Sequence, residues 1–295
     1  MILVVGDLVT DVLVEHAGEI QPGSDTDAAI RVAGGGQAAN TAAWLAHAGR
    51  EVTLIAAVGD DQPGRDRVAE LTAAGVRCAV EVLPGVATGS VVVLTGVTER
   101  TMITDRGASL RIGPEHVTAA VAGAARGGHL HLSGYPLLHA GSRPAGLAAL
   151  TAAAGRGLRV SVDAASAAPL RSAGDFLDWV RDTELLLCNA DEADVLAGPG
   201  SAAEQAVRLT AHVRNVVLKR GGDGALWASR DGGLWTVPAE TVPVKDPTGA
   251  GDAFAAGLLS AWSTGAGPEA ALRAGGVLGA AAVSRIGARP APPGA

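Results

Sequence analysis

The chain alternates between short apolar runs and longer stretches of small residues with apolar positions at helical spacing. Ile2–Val5 is a continuous apolar run closed by Gly6 and Asp7, the pattern of a buried strand. Val52–Val58, His129–Leu132, Leu158–Val162, Leu185–Cys188 and Val216–Lys219 read the same way. Between them lie predicted helices at Ala38–Ala48, Asp66–Ala74, Val117–Ala125, Ala145–Ala154, Asp175–Arg181 and Ala202–Ala211. Gly49 and Gly75 stop the first two, as a glycine just past a helix end does. Regular alternation of helix and strand predicts a mostly parallel sheet with helices on both faces. Asp11–Glu15 and Ala29–Val32 are weaker strands around a turn-rich segment, Gln21–Asp25. Val91–Leu94 and Thr101–Thr104, joined by a polar turn at 98–100, extend that excursion into a small sheet. A hairpin at Ala225–Ala228 and Gly233–Val237, two Ala-rich helices and a loose Pro-rich tail at 290–295 complete the chain.

Composition narrows the function more than the fold. At 295 residues, length alone allows one large domain or two smaller ones. Only 3% of residues are aromatic, so the core must be built of Ala, Val and Leu. A net charge of −7 argues against a general nucleic-acid binder, which needs a basic face. Cys78 and Cys188 form no Cys-x-x-Cys and read as reduced, buried thiols. Met1 leads into a strand without a basic leader, and no uncharged apolar run reaches the ~18–20 residues of a membrane helix. A soluble, cytoplasmic protein with no membrane partner is expected.

The most informative stretch is Asp246-Pro247-Thr248-Gly249-Ala250-Gly251-Asp252. The uncharged segment after it, Ala253–Trp262, predicts a helix buried on all sides. Gly249-Ala250-Gly251 then stands at a helix N-terminus, where unpartnered amides carry partial positive charge and small residues admit a ligand. Such a terminus is an anion site. A carboxylate beside it, Asp252, suits phosphoryl transfer to an alcohol: the amides hold the phosphoryl and the carboxylate takes the hydroxyl proton. A plain helix cap is the competing reading of Asp252. The two lysines, Lys219 and Lys245, do not follow glycine, so a Walker A loop is absent.

Asp-Pro-Thr-Gly-Ala-Gly-Asp-Ala-Phe at 246–254 resembles the C-terminal signature of the ribokinase-like (PfkB) carbohydrate kinases. Gly34-Gly35-Gly36-Gln37-Ala38-Ala39-Asn40 resembles their N-terminal signature, and the likeness spans nearly the whole chain. The resemblance implies a ribokinase-like three-layer α/β/α sandwich over residues 1–295. A small β-sheet lid at about 8–32 and 88–108 would cover the substrate. It implies an ATP-dependent kinase acting with Mg²⁺ on a primary hydroxyl of a small sugar, or on a nucleoside. Asp252 would be the base and Gly249, Ala250 and Gly251 the anion hole. Asp11, Gly35, Gly36 and Asn40 would meet substrate hydroxyls. Asn189 and Glu192, in an Asn-x-x-Glu motif, would organise Mg²⁺ through water. Lys219, Gly221 and Gly224 would form a nucleotide loop, and Asp246 would support a monovalent cation such as K⁺, with carbonyls near Thr248, Val283 and Gly287. Lids of this family often pair, so the resemblance implies a homodimer through the lid by analogy.

Alternatives stand beside these. Gly34-x-Gly36-x-x-Ala39 also fits a loose dinucleotide fingerprint, although it does not follow the first strand directly. Asp191, Glu192 and Asp194 at a helix start also read as acids complementing the helix dipole. His129 and His131 share a strand face, but no third metal ligand accompanies them, so they read as core histidines. A non-catalytic nucleotide- or sugar-binding protein is a further reading. Gln37, Val9 and Ser109 depart from the residues usual in ribokinases, and Asp163-Ala164-Ala165-Ser166 lacks the Asp-x-Asn of ketodeoxygluconate and fructose kinases. The sugar is therefore left open.

Overall fold

The computed structural model describes residues 1–16, 18–95 and 100–291. The turn expected at 98–100 and the tail expected at 290–295 fall largely outside the described residues. Nine strands form the main sheet, in the order β13 (Leu234–Val237), β12 (Ala225–Ser229), β11 (Asn215–Lys219), β10 (Leu185–Asn189), β9 (Arg159–Asp163), β8 (His129–Ser133), β1 (Ile2–Val5), β4 (Val52–Gly59) and β5 (Arg77–Leu83). The seven strands from β11 to β5 run parallel, and β12 and β13 add an antiparallel edge.

Alternate side chains of the buried strands feed two separate cores, which is why these strands read as continuous apolar runs. Leu3, Val5, Leu130 and Leu132 pack on one face with α3 (Pro114–Ala122), α5 (Arg143–Arg156), α8 (Ala190–Ala197) and α9 (Ala202–Leu209). Ile2, Val4, Leu185 and Leu187 pack on the other with α1 (Gln37–His47), α2 (Gln62–Ala73), α10 (Ala250–Trp262) and α11 (Pro268–Val283). The result is a three-layer sandwich, as expected. Short helices α4 (Tyr135–Leu138), α6 (Ala167–Leu170) and α7 (Phe176–Trp179) lie in the connections.

Four strands form a second, small sheet, in the order β3 (Ala28–Gly35), β2 (Val9–His16), β6 (Thr88–Thr95) and β7 (Arg100–Gly107). Val9, Val91 and Val93 make its own small core on the inner face.

Sequence periodicity misplaced some elements. It missed β5, because Arg77 and Glu81 interrupt the apolar run and the strand is a half-exposed edge. Helix α2 starts at Gln62 rather than Asp66, since Asp61 caps it by accepting from the Gly64 amide and Pro63 occupies its first turn. The helix expected at Asp175–Arg181 shrinks to α7.

Candidate active site

A cavity of about 680 Å³ opens between the inner face of the small sheet and the carboxyl ends of β1, β8 and β9. Ligands of open parallel sheets sit at such strand ends. Asp11, Gly36, Asn40, Gly249 and Asp252 line it, so residues far apart in sequence share one chamber.

Asp252 stands in the first turn of α10. Gly249, with φ of 74°, bends the chain into that helix; no side chain caps it, and the Ala250 amide donates to the Pro247 carbonyl at 3.3 Å. Gly249 and Asp252 line the chamber, whereas Ala250 and Gly251 do not. A side chain at Gly249 would also collide with Ala288. Asn40 Nδ2 donates to Asp252 Oδ2 at 2.9 Å. Burial pushes the Asp252 carboxyl up to about 7; the Asn40 hydrogen bond and Lys219 oppose that rise, while Asp163 and Asp7 add to it. A carboxyl poised there is well matched to take a proton near neutral pH.

The three glycines before α1 have three different causes. A Cβ at Gly34 would meet the guanidinium of Arg289, and one at Gly35 the carboxylate of Asp11. Gly36 has φ of 99° and lies against the Asp7 carbonyl. Gly36 faces the cavity, whereas the Gly35 carbonyl accepts from Arg289 Nη2 at 2.9 Å.

Behind the chamber lies a buried charge cluster. Lys219 Nζ donates to Asp163 Oδ2 at 2.7 Å. Asp163 Oδ1 accepts from Gln37 Nε2 at 2.9 Å and from the Ala165 amide at 3.0 Å. Burial alone would lower the Lys219 ammonium, but Asp163 and Glu192 outweigh it and hold it raised. Burial likewise works to raise Asp163, and Lys219 overcomes it. The lysine expected to meet a phosphate is thus ion-paired within the protein. Its Nζ still lies 3.4 Å from where a Cβ on Gly251 would sit, beside the turn before Asp252.

Asn189 and Glu192 form a capping box at the start of α8. Asn189 Oδ1 accepts from the Glu192 amide at 2.9 Å, and both Glu192 carboxylate oxygens accept from Asn189. Burial raises Glu192 to about 7, with Lys219 opposing and Asp163 reinforcing. Gly221 and Gly224 flank the turn after β11; Gly224 is required because a Cβ would strike the Val237 carbonyl. These four residues do not line the cavity. Asp246 clamps its own loop: Oδ1 accepts from the Thr248 amide at 2.8 Å and from the Thr248 hydroxyl, and Oδ2 accepts from the Gly287 amide at 2.9 Å. The Val283 carbonyl accepts from the Lys245 and Asp246 amides. Among the described residues no cluster of three or more His, Cys, Asp or Glu is arranged to hold a metal.

Sequence reasoning missed several residues of the site. Asp7, Arg106, Tyr135 and His139 all line the cavity. Arg106 Nη1 lies 3.5 Å from Asp7 Oδ2, and its guanidinium covers the Tyr135 ring at 3.6 Å. Asp7 could have been found from its place just past the first strand; Arg106 had no such marker. His129 and His131 are core residues: they share the Ser161 hydroxyl at 2.7 and 2.8 Å, and burial lowers them to about 3 and 4.

Comparison with known proteins identifies the family. Residues 1–294 match the profile of the pfkB family carbohydrate kinase. The chain is 32% identical over 282 residues to an ATP-dependent ribose-1-phosphate kinase of Halopiger xanaduensis, covering 92% of this chain and 88% of that one. It is 30% identical over 250 residues to a 2-dehydro-3-deoxygluconokinase of Thermoproteus tenax, covering 80% and 75%. Its fold overlays an adenosine kinase from Sinorhizobium meliloti with a TM-score of 0.88, at 23% identity and with 98% and 95% coverage. A whole-length profile match, a relative of this similarity and the shared three-layer fold together place the chain in the pfkB family of carbohydrate kinases.

Proposed function

We propose that this protein transfers the γ-phosphoryl group of ATP to a primary hydroxyl of a small sugar, with Asp252 as the base. The observation that carries this is the Asp252 carboxyl, which lines a chamber of about 680 Å³ from the first turn of α10, a helix start that no side chain caps. Asp252 withdraws the hydroxyl proton as the oxygen attacks in line. The Gly251 and Asp252 amides at the start of α10 stabilise the phosphoryl, and Lys219 sets the field beside them. Mg²⁺, when bound, neutralises the phosphate oxygens. It requires hard oxygen donors and keeps several waters. Glu192 would supply such an oxygen: burial raises its carboxyl to about 7, with Lys219 opposing and Asp163 adding to the rise, and a cation beside it would favour its charged form. Asn189, Gly221 and Gly224 then border the nucleotide. K⁺, when bound, would sit at the loop that Asp246 and the Val283 carbonyl brace.

The chamber chemistry favours hydroxyls over a base. Asp7, Asp11, Asp105 and Asp252 line it against a single arginine, Arg106, and carboxylates accept from sugar hydroxyls. The ring side chains that line it, Tyr135 and His139, stack on each other, and Arg106 covers Tyr135, which leaves little aromatic face for a nucleobase. Arg106 favours a second reading, a sugar carrying an anionic group. The Halopiger relative is named for such a substrate, ribose-1-phosphate.

The small sheet acts as a lid in this reading, closing over the sugar and excluding water. Its outer face is apolar: Val12, Val14, Val92 and Leu94 are flanked by Ile30, Val32 and Ile103, which are 64, 65 and 59% exposed. Such a face suits pairing with the same face of a second copy.

The deciding experiment is an ADP-release screen with Mg-ATP over D-ribose, D-ribose 1-phosphate, D-fructose, 2-dehydro-3-deoxygluconate and adenosine, with and without K⁺. Turnover of a sugar supports the reading. Turnover of adenosine alone overturns it, as does nucleotide binding with no acceptor-dependent ADP.

A further inference from the structure

The chain returns to the site after α11. Gly287, Ala288 and Arg289 form a strap across three of its parts. The Gly287 amide donates to Asp246. The Ala288 carbonyl accepts from Trp44 Nε1 at 2.9 Å, and Ala288 fills the space that a side chain on Gly249 would need. Arg289 reaches farthest in. Its Nε donates to Asn40 Oδ1 at 3.1 Å, its Nη2 to the Gly35 carbonyl at 2.9 Å, and its Nη1 lies 3.4 Å from Glu70 Oε2. Its side chain is 14% exposed.

A primary amide has an acceptor end and a donor end. In Asn40 both are taken, and by opposite charges. Arg289 holds Oδ1, so Nδ2 is turned to Asp252 Oδ2. The reversed amide would set an oxygen against the carboxylate and an NH₂ group against the guanidinium, two repulsive contacts in a buried place. Arg289 itself does not line the chamber. Its influence on the reaction passes through the amide.

We propose that Arg289 is a positioning residue for Asp252: by fixing which end of Asn40 faces the carboxylate, it secures the hydrogen bond that supports the ionised, proton-accepting form. This rests on the reading of Asp252 as base. The groups facing Asp252 are Asn40 from α1, Asp7 past β1, Asp163 at the end of β9, Lys219 at the end of β11 and Tyr135 of α4. Around Arg289 stand Glu70 and Arg67 of α2, Asp11 of β2 and Cys78 of β5. Burial raises Asp252, and the Asn40 bond is the first influence opposing it. With Asn40 released, that opposition weakens and the carboxyl holds its proton to higher pH. A strap that merely anchored the C-terminal segment would alter stability and leave this pH dependence alone.

The test compares the full chain with Arg289→Met and Arg289→Lys. It reads kcat/KM against pH with Mg-ATP and whichever of D-ribose, D-ribose 1-phosphate, D-fructose, 2-dehydro-3-deoxygluconate and adenosine is turned over fastest, alongside thermal melting. The proposal expects Arg289→Met to move the midpoint of the acid limb upward by about one pH unit, lowering kcat/KM below it about tenfold, with KM for ATP unchanged. Arg289→Lys keeps the charge without the two-way fork and lands between. A midpoint that stays at the wild-type pH, whatever happens to the melting temperature, overturns the proposal. If Arg289→Met does not fold, the Lys variant decides: a raised midpoint supports the role and an unmoved one removes it. The two readings fail differently. A wild-type acid limb that the Arg289 variants leave in place sinks only the positioning role, whereas an active Asp252→Asn sinks the base itself.

Discussion

The two sheets treat their faces differently. Helices cover the nine-stranded sheet on both sides, and its strand ends hold Asp163, Lys219, Asn189 and, through α10, Asp252. The four-stranded sheet turns one face to the chamber and leaves the other, apolar, to solvent. The first arrangement fixes charges in a rigid, low-dielectric setting where each shifts its neighbours. The second supplies chamber walls, such as Val9, Val91 and Arg106. In this account, phosphoryl chemistry belongs to the large sheet and choice of substrate to the small one.

Substitutions on each side sharpen or break that division. The largest effect is expected at Asp252. Asp252→Asn keeps the shape and removes the base, so kcat should fall by about 10²–10⁴ while ATP still binds; stopped-time ADP assays and nucleotide titration measure both. Next is the buried pair. Lys219→Met leaves the Asp163 carboxylate uncompensated and should cost about 3–5 kcal/mol in urea unfolding. Adding Asp163→Asn should restore part of that loss; no recovery in the double variant would deny the pair its structural role.

On the small-sheet side the effects should be smaller and of another kind. Arg106→Met should raise KM for a phosphorylated or carboxylated sugar about tenfold, leaving KM for ATP alone. An equal rise for both would erase the division of labour. Smallest is the outer face. Ile103→Lys should change stability within about 0.5 kcal/mol for the isolated chain and leave kcat intact. Light scattering should show a smaller particle than wild type if copies pair through this face. Identical masses would refute that pairing.

The same contrast explains what could be read from the chain alone. Strands β1, β8, β10 and β11 announced themselves because both of their faces are buried, which forces a continuous apolar run. The Gly249–Asp252 turn was legible because small residues and an acid are contiguous before an uncharged helix. Edge strand β5 was not, because half of it meets solvent and carries charge. Lone charged residues were least legible. Lys219 finds its carboxylate on another strand, and Arg289 finds Asn40 from the far end of the chain. Nothing local marks either pairing. Gly35 shows the same limit: its lack of a side chain answers to Asp11, a contact that only the folded chain creates.

As the proposed base, Asp252 must be ionised to accept the proton. Because its carboxyl is raised to about 7, the protonated, inactive form should predominate below that pH and the active form above it. The pH dependence of kcat/KM in the wild-type enzyme, with ATP saturating, reads this directly. It should fall about tenfold per pH unit below a midpoint near neutrality, a fall absent from the residual activity of Asp252→Asn. A profile that stays level from about pH 5 to 8, or one that Asp252→Asn reproduces unchanged, would contradict it.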